Sequence, residues 1–446
     1  MNAAHGATAN PVAPPRSRLQ ELMSLVNRRR GEILSSASMF TSPAVNMLYG
    51  FLVVRYLKPD TAGLLSTAAL LPVYLTFLHL GVLNGMQREL PVALGAGDRE
   101  RADGILRITT MVSLLAGTVS GGICLLVAAG CLLMGKPLLL TIAYLGSACV
   151  SFAYPVTVQI DTGLRAENRF LRQGWAVLGT NLVGLVTCAL IPLLGAYGAV
   201  FRGVISSAGA LLTRLRSGVW RPGGQWQREE VMTLARVGLP LLVSGTMGGF
   251  MMVADRTVVA MMMSNDDMGQ FSLASLVVNS MTLVPMSLSL VLFPKIARAY
   301  GEHRSRRRLR RFVWISLIFN AVMIAPLCLV CFLVIQPVVQ NFFPEYTPGI
   351  PAARLACVTC IFWVYLGVGS VIGVINRMTP YLCFLGFCLL LILGGSAVLI
   401  HLGHGIMGAA WARMAGTALM CLFTISYSLY LTSSDGEEKP EARVAA

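Results

Sequence analysis

Apolar runs of bilayer-crossing length recur along the whole chain, separated by short polar connections. They cover residues 33–56, 62–84, 105–133, 137–160, 173–194, 196–213, 236–263, 268–293, 312–335, 350–375, 380–401 and 405–431, numbered here as spans 1 to 12. A helix needs about 20 such residues to cross roughly 30 Å of hydrocarbon. Only structures that satisfy every backbone polar group internally survive there, so each run is expected to be a helix. The pattern predicts an all-α polytopic membrane protein of about twelve transmembrane helices.

The connections are not equivalent. Of 35 Lys and Arg residues, all but seven fall at the two termini, or in the loops after spans 2, 4, 6, 8 and 10 and the first few span residues that follow them. Positive charge marks the cytoplasmic side of short loops, so this alternation places both termini in the cytoplasm. The densest cluster, Lys295, Arg298, Arg304, Arg306, Arg307, Arg308, Arg310 and Arg311, follows span 8. The net charge of +15 therefore reads as topology anchors against anionic lipid headgroups, each worth on the order of 1 kcal/mol, and not as a nucleic-acid surface. With 55% hydrophobic and only 12% charged residues, a soluble domain is excluded.

The same alternation divides the chain. Residues 1–32 form a cytoplasmic leader whose Leu19, Leu22, Met23 and Val26 lie opposite Arg18, Arg28, Arg29 and Arg30, the pattern of an interfacial amphipathic helix. Residues 33–216 and 234–431 are two six-helix halves joined by a basic linker, 217–233, and residues 432–446 are a flexible tail. The eleven cysteines lie within or at the ends of spans. Cys328–Cys331 and Cys357–Cys360 have metal or redox spacing but no companion His, so they read as small apolar residues, and no metal or other cofactor is expected. No phosphate-binding loop of the Walker type occurs.

The halves are related. Asp60, Gly63, Ser66, Ala68 and Leu70 after span 1 recur at one constant interval as Asp266, Gly269, Ser272, Ala274 and Leu276 after span 7. Gly195, Gly198, Ala199 and Phe201 entering span 6 match Gly405, Gly408, Ala409 and Trp411 entering span 12. Six spans separate each pair, so the repeats are parallel, related by an axis along the membrane normal, with a substrate path expected between them.

Three basic residues sit well inside spans: Arg202, Arg256 and Arg413, accompanied by one acidic residue, Asp255. An arginine at mid-bilayer costs roughly 2.5–3.5 kcal/mol on insertion scales, so such residues face a partner or a watery cavity. Two readings stand. In one, Asp255 offsets a neighbouring arginine, with Arg202 as a partner across a helix contact. In the other, the three arginines line a central cavity and bind an anionic cargo, for which the guanidinium fork suits phosphate oxygens. At the inner end of span 2, Arg88, with His79, Asn84, Gln87 and Glu89, forms a candidate cytoplasmic entrance. His79 and Asp255 are the candidates for ion coupling, against the plainer reading of His79 as a satisfied structural residue. Prolines at 43, 72, 155, 240, 285 and 326 are expected to bend their helices.

The stretch Ala254-Asp255-Arg256-Thr257 through Asp266, Gly269, Phe271, Ser272, Leu273 and Ala274, continuing to Phe293-Pro294-Lys295-Ile296-Ala297, resembles the polysaccharide and oligosaccharide flippase family. That family belongs to the multidrug/oligosaccharidyl-lipid/polysaccharide exporter superfamily. The Phe343-Pro344-Glu345-Tyr346 element and Gly408-Ala409-Ala410-Trp411 carry the same likeness. The resemblance implies a translocator in a bacterial inner membrane, moving polyprenyl diphosphate-linked glycans from the cytoplasmic to the periplasmic leaflet for export of a surface polysaccharide. It also implies membrane lipids, a polysaccharide polymerase and export machinery as partners. A multidrug exporter of the same superfamily is the alternative, for which buried carboxylates that bind cations are expected. An enzyme is not expected, since every non-cytoplasmic connection is short, the longest being near Gln336 to Ile350.

Overall fold

The computed structural model describes residues 41–221, 228–281, 306–375 and 377–433, together with 34, 37 and 38. The expected leader helix, Pro285, the part of the basic cluster from Lys295 to Arg304, and the tail from 434 lie outside the described residues. Within them the protein is all-α. Eight helical stretches are long and apolar enough to cross a membrane, the last of which, Met378–Ser433, contains both span 11 and span 12.

In the first half, α1 (41–56) is followed by α2 (Pro59–Ala68) and α3 (Leu70–Leu75), then a 3-10 turn at Thr76–His79 and α4 (Val82–Gly95). Span 2 is therefore not one rod. Leu80 and Gly81 break it with φ of 49° and 82°, a conformation free to glycine but strained at leucine. α5 (Arg99–Leu133) and α6 (Leu138–Ala166) form a long hairpin, and α7 (Phe170–Thr187), α8 (Leu190–Leu194) and α9 (Ala196–Leu215) complete the half. Asp98 caps α5 by accepting from the Arg101 amide at 3.0 Å.

The second half comprises α10 (Arg228–Met262), α11 (Asn265–Met281), α12 (Arg306–Phe342), α13 (Ile350–Ile361), α14 (Gly369–Ile375), α15 (Met378–Leu399) and α16 (Gly405–Ser433). Pro155, Pro240 and Pro326 lie inside α6, α10 and α12.

The repeat seen in the sequence is built into the backbone. Gly195 and Gly405 turn the chain into the last helix of their halves with nearly the same dihedrals, φ 57°, ψ −130° and φ 55°, ψ −144°. One turn on, a Cβ on Gly198 would strike the Leu190 carbonyl, and one on Gly408 would lie 2.7 Å from the Leu399 Cβ. Gly63 and Gly269, the matched glycines of spans 2 and 8, occupy equivalent places where α2 crosses α11. A Cβ on Gly63 would collide with the Asn265 carbonyl, and one on Gly269 with the Pro59 carbonyl. Pro59 and Asn265 are themselves matched, so the two clashes are the same contact seen from either side of the repeat axis.

The halves meet at both ends of span 2. At the Pro59 end the glycine crossing is reinforced by the turn at Pro344–Gly349, which follows α12. Tyr346, 1% exposed, donates its hydroxyl to the Leu57 carbonyl at 3.0 Å, and Arg55 Nη1 donates to the Phe342 carbonyl at 2.6 Å. Phe51 packs edge-on to Phe343 with centroids 5.0 Å apart. Gln270 holds that turn on α11: its Nε2 donates to the Glu345 carbonyl at 2.8 Å, and its Oε1 accepts from the Gly349 amide at 3.1 Å. At the other end Gly81 of span 2 and Gly85 just beyond it lie against Gly238 and Leu234 of α10, again backbone on backbone. Between these contacts the largest buried cluster joins Val54, Leu57 and Leu70 of the first half to Met268, Phe271 and Ile350 of the second.

Candidate functional site

Successive residues on a helix point about 100° apart, and α10 uses this to send Asp255 and Arg256 in different directions. Asp255 turns into the interior of the second half. There its Oδ2 accepts from Arg413 Nη1 of α16 at 2.6 Å, with Arg413 and Asp255 only 5% and 1% exposed. Arg413 Nη1 also reaches the Met252 carbonyl at 3.3 Å. Asp255 Oδ1 is buried and makes no hydrogen bond. A void of about 10 Å³ lined by Asp255, Ser275, Thr359 and Arg413 adjoins it, close to the smallest volume that holds one water. The sequence offered Arg202 as the partner of Asp255; the structure pairs it with Arg413 instead.

Arg256 shares the Met252 carbonyl with Arg413 and lies within electrostatic reach of Tyr74 of the first half. Its neighbour Thr257 bonds the Tyr74 hydroxyl of α3 at 2.5 Å, and Tyr74 packs on Phe250 with centroids 4.9 Å apart, so this turn of α10 is the interface between halves. Arg256 Nη2 donates to the Met252 carbonyl of its own helix at 3.2 Å, while Nε is buried without a hydrogen bond. Asp255, Arg413 and Tyr74 are close enough to act on it electrostatically. Asp255 is already engaged by Arg413, so this cluster carries one positive charge more than it balances. Arg256 is half-buried with its Nε enclosed, and a guanidinium in that condition favours the approach of an anion.

Arg202 is elsewhere. It lies on α9, 8% exposed, within its own half. Its Nε donates to the Gly184 carbonyl and the Cys188 sulfur, each at 3.3 Å, its Nη2 reaches Asn46 Oδ1 at 3.4 Å, and its Cζ lies 4.1 Å above the centre of the Tyr49 ring. Among the described residues no carboxylate pairs with it. The structure thus brings Arg256, Arg413 and Asp255 together and keeps Arg202 apart.

Of the entrance residues, Arg88 is exposed on α4 and Glu89 beside it pairs with Arg101 at 3.1 Å. His79 ends the 3-10 turn of span 2. It is 8% exposed, its Nδ1 has no hydrogen bond, and it lines a mostly apolar cavity of about 330 Å³ with Pro72, Thr76, Ser151, Tyr154 and Pro155. Neither residue touches the Arg256 cluster.

One pair escaped the sequence reading. Arg214 grips Asp161 with both arms, Nε to Oδ1 at 2.9 Å and Nη2 to Oδ2 at 3.0 Å, and Nη1 reaches the Thr180 hydroxyl at 3.0 Å. Each residue lies one position beyond the end assigned to its span. The helices run further than the apolar runs, and the only signal was a lone charge at each boundary.

Comparison with known proteins agrees with this architecture. The sequence matches the family described as polysaccharide biosynthesis protein over residues 53–346. No curated protein sequence matches it significantly. Among solved structures, it is similar to an inward-facing multidrug resistance transporter of the MATE family and MOP superfamily, at 17% identity and a TM-score of 0.67, covering 88% of this chain and 96% of the other. The outward-facing form of a multidrug resistance MATE transporter aligns at 16% identity and a TM-score of 0.63, over 91% and 96% of the two chains. A MOP superfamily transporter from Pyrococcus furiosus, described as having a binding pocket of reverse polarity that suggests a different function, aligns at 16% identity and a TM-score of 0.64, again over 91% and 96%. At these identities the likeness establishes the fold, twelve helices in two repeats. With more than half its length matched by one family, the chain belongs to the polysaccharide biosynthesis protein family, within a fold shared with the MOP superfamily.

Proposed function

We propose that this protein flips polyprenyl diphosphate-linked oligosaccharides across a bacterial inner membrane, by alternating access between its two halves. One observation carries the reading: Arg256 places an unbalanced guanidinium at the interface between the halves. A diphosphate is the complementary charge, and the planar fork of Arg matches phosphate oxygens two at a time. A cationic drug is the poorer cargo, because the buried carboxylate beside that interface, Asp255, is already neutralised by Arg413. Membership of a polysaccharide biosynthesis family supports a glycan load. On this reading Arg88 lies at the cytoplasmic entrance, and a polymerase and export machinery receive the cargo on the far side.

The test is export of the lipid-linked glycan. Arg256→Ala is expected to lower export at least about 10-fold, the equivalent of roughly 1.4 kcal/mol of lost interaction, while the protein accumulates at the normal level. Arg256→Lys keeps the charge and loses the fork, and is expected to fall between Ala and wild type. Normal export by Arg256→Ala removes the anion-site reading.

Orientation is tested separately. In a cysteine-free background, an impermeant thiol reagent applied to intact cells is expected to label Asn265→Cys and to leave Ala96→Cys untouched. Both positions are exposed in loops or helix starts on opposite sides of the bundle. Labelling at position 96 reverses the topology and with it the direction of transport.

A further inference from the structure

We propose that the cavity beside His79 is a binding site for a neutral, membrane-soluble alcohol or phenol of small aromatic size. The space comes from the sequence. At Thr76–His79 span 2 tightens into a 3-10 turn, narrower than an α-helix. The α5–α6 hairpin that faces it carries Ala116 and Ser120 on one helix and Ser147 and Ser151 on the other, side chains too short to fill the gap. They leave a hollow of about 330 Å³. An apolar cavity of roughly 150 Å³ already stays dry and admits benzene, and ligand pockets begin at about 300 Å³. Tyr154 is exposed at the rim, so the hollow can be entered.

The walls decide the chemistry. No Asp, Glu, Lys or Arg lines the hollow, so a charged ligand would lose its hydration without compensation. The small hydroxyls in the wall are already engaged. Thr76 donates to the Val73 carbonyl at 2.7 Å, Ser120 to the Ala116 carbonyl at 2.7 Å and Ser147 to the Ala68 carbonyl at 3.3 Å, while Ser151 and the Cys124 sulfur share a bond at 3.4 Å. His79 is the exception: it is 8% exposed and its Nδ1 makes no hydrogen bond. A buried imidazole nitrogen without a partner is costly, and a ligand that brings one hydroxyl on an apolar body satisfies it while covering the walls. Every lining residue comes from span 2 or from the α5–α6 hairpin, and none from α10, which carries Arg256. The site is therefore separate from the charged cluster, and the inference does not rest on the flippase reading.

The experiment uses the full chain at a fixed detergent concentration, with para-bromobenzyl alcohol as the probe. Thermal stability is expected to rise saturably with the probe, and crystals soaked in it are expected to show a bromine anomalous peak beside His79. Para-bromotoluene has nearly the same size and no hydroxyl, and is expected to bind about 3- to 10-fold more weakly, the worth of one hydrogen bond. His79→Phe is expected to remove that difference between the two probes. Ser120→Leu fills the hollow and is expected to abolish binding of both; Ala116→Val, a smaller filling change, is expected to weaken both and serves if Ser120→Leu does not accumulate. The assignment is overturned by a peak elsewhere only, by equal binding of alcohol and hydrocarbon to the wild type, by unchanged binding in the filled variants, or by a hollow that holds a lipid acyl chain or water alone and admits no probe.

Discussion

Asp255→Ala is expected to be among the most damaging single substitutions in the chain. It leaves the Arg413 guanidinium, 5% exposed, beside Ala352, Ala356 and Ala410, with the Met252 carbonyl and sulfur as its remaining hydrogen-bond partners and no counter-charge. Removing one partner of a buried ion pair costs about 3–5 kcal/mol, because the survivor keeps its desolvation penalty and loses its compensation. The measured result is a large fall in melting temperature of the solubilised protein and in its accumulation in the membrane. The double variant Asp255→Ala with Arg413→Met removes both charges and is expected to recover most of the loss, since replacing a whole buried pair by apolar groups is often neutral. A single variant as stable as wild type removes the pair from any structural role.

A methyl group on Gly269 is expected to be nearly as severe, by a different route. Its clash is with backbone at Pro59, on an element held by its own helix hydrogen bonds, so no side-chain rotation relieves it. The Tyr346 to Leu57 and Arg55 to Phe342 bonds lie at the same end of span 2, so widening the α2–α11 approach is expected to break them. Gly269→Ala and Gly63→Ala are each expected to lower cross-linking between cysteines placed at Arg55 and Phe342 by at least about 10-fold, a shift of roughly 1.4 kcal/mol in the closing equilibrium, and to stop export. Gly248→Ala on α10 is the control. Nothing lies within 4 Å of its missing Cβ, so it is expected to be neutral or slightly stabilising, by about 0.5–1 kcal/mol at most. Unchanged cross-linking in Gly269→Ala sinks the closure argument.

What the sequence made legible follows from what repeats along it. Span number and the parallel halves were readable because apolar length and matched glycines are local signals, and Gly195 and Gly405 then turned with the same dihedrals. The break at Leu80 was not readable, since Thr76 to Leu80 carry no proline and the strain at Leu80 is imposed by packing of Gly81 on α10. The partner of Asp255 was not readable either. That choice depends on the rotation of α10 about its axis relative to α9 and α16, which apolar composition leaves undetermined when a span is apolar all round. Asp161 and Arg214 were hidden for a third reason: charges at the ends of apolar runs look like interface anchors until tertiary structure brings them to 2.9 Å.

The break in span 2 also bears on how the protein moves. This helix touches the opposite half at both ends, through Gly63 on one side and through Gly81 and Gly85 on the other. A stiff rod clasped at both ends would transmit any tilt at one clasp directly to the other, so that both faces of the membrane would loosen together and ions would leak. The left-handed joint at Leu80 and Gly81 divides the span into a segment tied to α11 at Gly63 and to α10 through Tyr74, and a segment seated on α10 at Gly85. Span 2 therefore has the form of a jointed crank, in which a tilt at one clasp can be taken up at the joint before it reaches the other.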